Sequence, residues 1–243
     1  MVSYFIKYGI FPVSVNWFGV QQKKIDKFIP SVYYHIKGNH ADFSGRKELG
    51  HTLEISLNQS VEELKAGMVK SYRQQIRQSE EAGILFKEIP DRNLFVPFYN
   101  SFAEGKGIPV LSNTRIQEYG SDFIVVGAYL DDVLLAAHTY LIDRASKTVR
   151  VFHSATQRLN GSIDRNLVGK ANKYLHYCGM LHFKNLGFEI YDFGGIAFNT
   201  ENPDLQGINN FKTQFGGNVV ESFTIYSYLY YFIRGCFRRF NRR

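Results

Sequence analysis

Two segments near the C-terminus decide the reading: Tyr191-Asp192-Phe193-Gly194-Gly195, and Gly207-Ile208-Asn209-Asn210-Phe211-Lys212-Thr213-Gln214-Phe215-Gly216-Gly217. The first ends a run from Phe188 to Phe193, apolar and aromatic, with a Gly-Gly exit; this predicts a strand. The second predicts a short helix from Gly207 to Phe215, stopped by another glycine pair. Glycines after a strand let the backbone approach a ligand closely or take up positive φ. Within the helix, Lys212 sits between two aromatic positions, Phe211 and Phe215.

Working outward, a long helix is predicted from about Arg165 to Leu186, stopped by Gly187. A polar loop, Thr156 to Asp164, precedes it. Phe123 to Leu130 and Val133 to Ile142 predict a hairpin turning at Asp131-Asp132, and Thr148 to Ala155 a third consecutive strand. Further upstream Leu53, Ile55 and Leu57 alternate with polar residues, as in a half-buried strand. Ser60-Val61-Glu62-Glu63 then reads as a capping box opening one helix to about Ala82, with Gly83 as its stop. Leu64, Met68, Tyr72 and Ile76 make its apolar face, and Lys70, Arg73 and Arg77 fall on another. Between these regions lie a strand (Ile84 to Ile89), a helix (Leu94 to Glu104), a loop with Gly105, Gly107 and Pro109, and a short helix near Thr114 to Glu118.

The ends carry weaker signals. Lys23, Lys24, Asp26 and Lys27 suggest a solvated face, Tyr33 to Ile36 a short strand, and Gly38 to Gly50 a loop. Val219 to Phe232 reads as one or two closing strands. The element order predicts an α/β (mixed α+β) protein, a central mixed β-sheet flanked by helices. The expected organisation is a shortened N-terminal segment (1–52), a main domain (53–233) and a basic C-terminal tail (234–243).

Composition limits the function classes. The net charge of +7 is local: residues 234–243 hold five arginines and no acid, and the rest carries 24 basic against 22 acidic residues. A nucleic-acid-binding face is therefore not indicated. The two cysteines, Cys178 and Cys236, have no metal or redox spacing, which fits a reduced compartment. Residues 1–20 lack the pattern of a signal peptide, and no apolar run approaches the roughly 18 residues of a membrane span. The expectation is a cytoplasmic protein, with the aromatic and arginine-rich C-terminus available for contact with the inner face of a membrane. His35, His40 and His51 lie in loop-like sequence, and His153 on a strand reads as a satisfied core histidine. No metal site is expected.

The strand, its Tyr-Asp-Phe-Gly-Gly exit and the later Phe-Lys-x-x-Phe-Gly-Gly helix, in this order, resemble the Fem-type aminoacyltransferases of the GNAT superfamily. The basic helix Tyr72-Arg73-Gln74-Gln75-Ile76-Arg77 before Gly83 is similar to one ahead of that domain. The resemblance spans roughly residues 53 to 230. It implies a GNAT-like acyltransferase fold and transfer of an acyl or aminoacyl group to an amino group of a cell-envelope, peptidoglycan or polysaccharide precursor. Peptidoglycan enzymes of this family carry two GNAT-like domains, and this chain has room for one.

By that resemblance Lys212, with Phe211, stabilises the oxyanion formed when an amine attacks an ester or thioester. The alternative is a solvated lysine on a short helix. Asp192 either orients or deprotonates the amine, or braces the following loop. Tyr191, Gly194 and Gly195 are expected at the substrate. GNAT enzymes hold the pyrophosphate of acyl-CoA with Gln/Arg-x-x-Gly-x-Gly/Ala at a helix N-terminus. Here Arg158-Leu159-Asn160-Gly161-Ser162-Ile163 matches its first two anchors, making Arg158, Gly161 and Arg165 candidate anion contacts. Arg73 and Arg77 are candidates for an acceptor diphosphate. No permanently bound cofactor is implied; acyl-CoA or aminoacyl-tRNA is the implied co-substrate, and tRNA an implied partner. A CoA-dependent N-acetyltransferase on a small amine and a non-catalytic membrane-peripheral scaffold are the alternatives.

Overall fold

The computed structural model describes residues 2–19, 28–38 and 44–240. Lys23, Lys24, Asp26, Lys27, His40 and residues 241–243 lie outside the described residues. The chain forms two compact units. The larger holds Leu53–Gly194 and Thr200–Asn218; the smaller holds Met1–Thr52, Gly195–Asn199 and Val219–Arg243.

In the larger unit the strands run in the order β4-β9-β8-β7-β6-β5: β4 (Arg46–Ser56, here from Leu53), β5 (Leu85–Glu88), β6 (Phe123–Leu130), β7 (Val133–Asp143), β8 (Thr148–Thr156) and β9 (Ile190–Ile196, here to Gly194). From β5 to β8 neighbours are antiparallel, and β8 pairs with β9 in parallel. A parallel joint needs a crossover, which α5 (Arg165–Asn185) supplies. Its inward residues Val168, Ala171, Leu175, Met180 and Phe183 follow helical spacing and are fully buried. Asp164 caps it, accepting from the amides of Asn166 at 2.9 Å and Leu167 at 3.3 Å. The β6–β7 hairpin turns where expected, with Asp131 and Asp132 at φ 46° and 64°, as a primed two-residue turn requires.

The expected helix after Ser60 begins as read. Ser60 accepts from the amide of Glu63, and the Glu63 carboxylate accepts from that of Ser60. It does not run through. It is broken into α1 (Val61–Gly67) and α2 (Lys70–Glu81) by Met68 and Val69, both extended. Tertiary contacts outweigh propensity here: Met68 is buried, and Val69 N–H donates to the carbonyl of Gln214 at 3.0 Å. Helices α3 (Phe95–Lys106) and α4 (Asn113–Glu118) fall where the sequence places them, whereas α6 (Pro203–Thr213) starts four residues before the expected Gly207, capped by Asn202, whose Oδ1 accepts from the amides of Asp204 and Leu205.

In the smaller unit β1 (Val2–Tyr8) and β2 (Phe11–Trp17) form a hairpin; β2 pairs in parallel with β3 (Ser31–Ile36), and β3 antiparallel with β10 (Asn218–Tyr226). Two expectations fail here. The supposed loop 38–50 is strand from Arg46, and His51 lies within it. It is entered through Gly45, where an added Cβ would sit 2.3 Å from the Tyr226 carbonyl oxygen. The closing segment is a strand only to Tyr226; Tyr228–Phe240 is a helix, α7. Its start is set by Ser227, whose Oγ accepts from the Tyr230 amide at 3.2 Å.

Candidate active site

Strands β8 and β9 pair at three positions only: Thr148 with Ile190, Val149 with Tyr191, and Arg150 with Asp192. Beyond Arg150, β8 stays on β7 as far as Thr156 and leaves β9. A one-residue bulge lies in β8 between Val151 and His153, opposite Thr139 and Tyr140. The two strands therefore part at the Arg150–Asp192 position.

An ion pair closes the apex of that wedge. Arg150 Nη1 donates to Oδ2 of Asp192, whose side chain is wholly buried. Asp192 Oδ1 accepts from the amide of Gly194 at 2.7 Å. Gly194 has φ 83°, and the Arg150 guanidinium lies 3.6 Å from where its Cβ would be. Asp192 thus holds a guanidinium on one oxygen and the start of the glycine exit on the other. A buried carboxylate in such a place must be paired.

Lys212 lies close enough to feel both charges. Its pKa is lowered to about 8, first by burial, then by the positive charge of Arg150, with Asp192 acting in the opposite sense. Helix α6 is locked in place by the glycines that follow it. Gly216 and Gly217 have φ 88° and 85°. An added Cβ would sit 2.8 Å from the Gly67 carbonyl oxygen at the first, and 2.4 Å from that of Glu54 at the second. The Phe-Gly-Gly end of the motif is therefore a backbone-on-backbone contact as well as a helix stop. Tyr72 adds to the hold: its hydroxyl donates to the Phe211 carbonyl at 3.3 Å, and its ring packs edge-on against Phe215.

A buried polar chain, which the sequence reading missed, runs beneath this region. Asn172 Oδ1 meets Nε2 of His138 at 2.8 Å, and Nδ1 of His138 lies 3.3 Å from the Tyr140 hydroxyl. That hydroxyl meets the Tyr191 hydroxyl at 3.0 Å, which meets Nδ1 of His176 at 2.9 Å. Gly179 leaves room for it, since a Cβ there would sit 2.6 Å from the Tyr140 oxygen. Burial lowers His138 to about 4 and His176 well below the ordinary histidine range, the latter helped by the repulsion a second protonated ring at His138 would bring and by the nearby ammonium groups of Lys212 and Lys173. Both rings are neutral at pH 7. His176 packs among Phe193, Phe211 and Phe215, with centroids 4.8, 5.6 and 5.2 Å away. Only Tyr191 had a signal in the sequence; His138, Asn172 and His176 lie far apart in the chain and share no spacing.

The remaining expected residues stand as follows. Arg158 is exposed in a 3-10 turn (Gln157–Leu159), Gly161 is exposed in open space, and Arg165 is exposed at the start of α5. Arg73 donates to the carbonyl oxygens of Met68 and Ala66, closing the end of α1. Arg77 pairs with Glu81 at 3.2 Å on the surface. With Met68, Ile76 and Glu80 these arginines line a groove of about 250 Å³. Gly195 is exposed without positive φ, its Cβ position 4.0 Å from the His51 carbonyl oxygen. His153 is half-buried, bonded through Nδ1 to Thr139 Oγ1 at 2.8 Å and lowered by burial to about 4.

This mixed sheet crossed by α5, with two strands that part at the Arg150–Asp192 position, is the fold of FemX. Three of the solved structures that share it are these. FemX matches 95% of this chain and 85% of its own at TM-score 0.69 and 12% identity. The C-terminal domain (DUF2156) of an Agrobacterium fabrum protein described as a lysylphosphatidylglycerol synthetase matches over 93% and 80%, at 0.64 and 14%. L-PGS from Bacillus licheniformis matches over 99% and 86%, at 0.59 and 12%. At these identities the likeness is one of fold. No protein-family model matches the chain in sequence, and no curated protein does either.

Proposed function

We propose that the chain transfers an acyl or aminoacyl group from an activated donor to an amino group of a cell-envelope or polysaccharide precursor. The observation that carries this is Lys212: a half-buried ammonium, beside the Arg150–Asp192 pair, at the point where β8 and β9 part. In this reading the donor carbonyl lies at the wedge. The amine attacks the carbonyl carbon, the new C–N bond forms, and the C–O or C–S bond to the carrier breaks. The carrier leaves with the electron pair and takes up the proton that the amine gives up. The Lys212 ammonium faces the oxygen on which negative charge develops. Asp192, engaged on both oxygens, acts as a positioning residue that holds Arg150 and Gly194.

One detail favours an aminoacyl ester over acyl-CoA as donor. The amides of Asn166 and Leu167, where a CoA pyrophosphate would cap α5, already bond the Asp164 carboxylate. One of the similar structures is the C-terminal domain of a protein named as a lysylphosphatidylglycerol synthetase, in keeping with an aminoacyl group and an envelope component.

The test is a transfer assay with aminoacyl-tRNAs and acyl-CoAs as donors and amine-bearing envelope precursors as acceptors, products read by mass spectrometry. Lys212→Ala is expected to lose turnover about a hundredfold or more with the fold intact by circular dichroism. Full activity in that variant removes Lys212 from the mechanism.

A further inference from the structure

The first turns of helix α7 carry aromatic residues on both sides. Tyr230 and Ile233, three positions apart, are buried at 7% each and define the packed side. Tyr228 and Phe232 fall on the opposite side by helical spacing and are 70% and 69% exposed, with Tyr231 and Leu229 also exposed beside them. A helix that is apolar on both sides needs a second partner for the outer one.

Charge identifies that partner. Arg46 stacks on the ring of Tyr231 at 5.4 Å, beside the exposed rings, while Arg234 stacks on the Tyr226 ring at 4.8 Å on the packed side, with Glu48 near it. The sequence continues with Arg238, Arg239, Arg242 and Arg243 and no acidic residue. A second copy of the chain, meeting this face through a two-fold contact, would set arginines against arginines. Aromatic rings with flanking arginines suit the boundary between lipid headgroups and acyl chains, where the rings sit at headgroup depth and the guanidinium groups meet phosphates. Among the described residues no helix is long and apolar enough to cross a membrane, so contact through α7 would be along the surface.

We propose that α7 docks the chain on an anionic lipid surface, with Tyr228 and Phe232 entering the headgroup region. This stands apart from the transfer reaction and holds or fails independently of it.

The experiment is co-sedimentation of the full chain with vesicles of phosphatidylcholine alone or with about 30 mol% phosphatidylglycerol. Binding is expected to the anionic vesicles only, weakened by about 0.5 M salt, which screens the arginine contribution. The double variant Tyr228→Glu with Phe232→Glu is expected to lose roughly tenfold or more in partitioning. Both positions are exposed, so its melting temperature should match that of the parent. Arg238→Ser with Arg239→Ser should remove part of the salt-sensitive component. The proposal is overturned if the parent ignores anionic vesicles, if it binds neutral ones equally, or if the Glu variant binds as the parent does. It is overturned as well if the chain dimerises without lipid and the Glu variant abolishes that dimer in place of vesicle binding.

Discussion

Helices α6 and α7 break the same rule in opposite directions. On α6 a cation, Lys212, is drawn half into the protein while Phe215 beside it is buried to 1%. On α7 the aromatic residues Tyr228 and Phe232 are turned out to about the extent a solvated lysine would be. A buried charge and an exposed aromatic cluster are each unfavourable in the isolated chain, and each gains a use only when something else is present. For Lys212 the partner is an oxygen acquiring negative charge; for α7 it is a surface bearing fixed negative charge.

The comparison is put under most strain by making the same substitution just past the end of α6 and on α7. Phe215→Ala removes a ring packed against Tyr72, His176, Phe193 and Phe211, and should cost about 3–5 kcal/mol in denaturant unfolding. Phe232→Ala should stay within about 0.5 kcal/mol of the parent. If Phe232→Ala proves as costly as Phe215→Ala, the outer side of α7 is a folding surface and the contrast collapses.

Tyr191→Phe tests the ground beneath α6 and should have the next largest effect. It removes the hydroxyl between Tyr140 and His176 while keeping the ring, leaving a buried imidazole nitrogen and a buried phenol each short of a partner. The expected loss is about 1–3 kcal/mol. Retained stability would mean that this polar chain does not hold the floor on which Phe211 and Phe215 rest.

Local signals carried much of the larger unit. The Ser60 and Glu63 capping box, the Asp131-Asp132 turn and the Asp164 cap are set by residues within a few positions of one another, and sequence shows them directly. What escaped was decided by distant partners. The break at Met68 has a local hint in Gly67, but what fixes it is distant, the Gln214 carbonyl that accepts from the Val69 amide. Gly45 and Gly217 read as loop and helix stop, whereas each is also a close approach to another segment's backbone. The mostly aromatic and aliphatic run of 219–232 does not by itself separate strand from helix; Ser227 was the available clue. Within the candidate site Lys212, Phe211, Tyr191 and Asp192 stood out through their motifs. The partner that fixes Asp192, Arg150, lies on another strand and carries no local mark.

The smallest expected effect is in stability, and it bears on Lys212 through pH. Its folded pKa of about 8 lies below the roughly 10.4 of a lysine in an unfolded chain. Between those values the unfolded state binds more protons, so this group makes the folded state more stable as pH rises through the interval, and below it the buried ammonium is a steady cost. Lys212→Met, which keeps the stem and discards the charge, should unfold at a slightly higher temperature than the parent at pH 7, with the gap narrowing toward pH 10. Turnover should move the other way. A step that needs the ammonium is level below about pH 8 and falls about tenfold per unit above it, and Lys212→Arg should carry that limb to higher pH. A pH profile unchanged by Lys212→Arg, together with a melting temperature unmoved by Lys212→Met, would make Lys212 a solvated side chain, and α6 would lose the feature that sets it against α7.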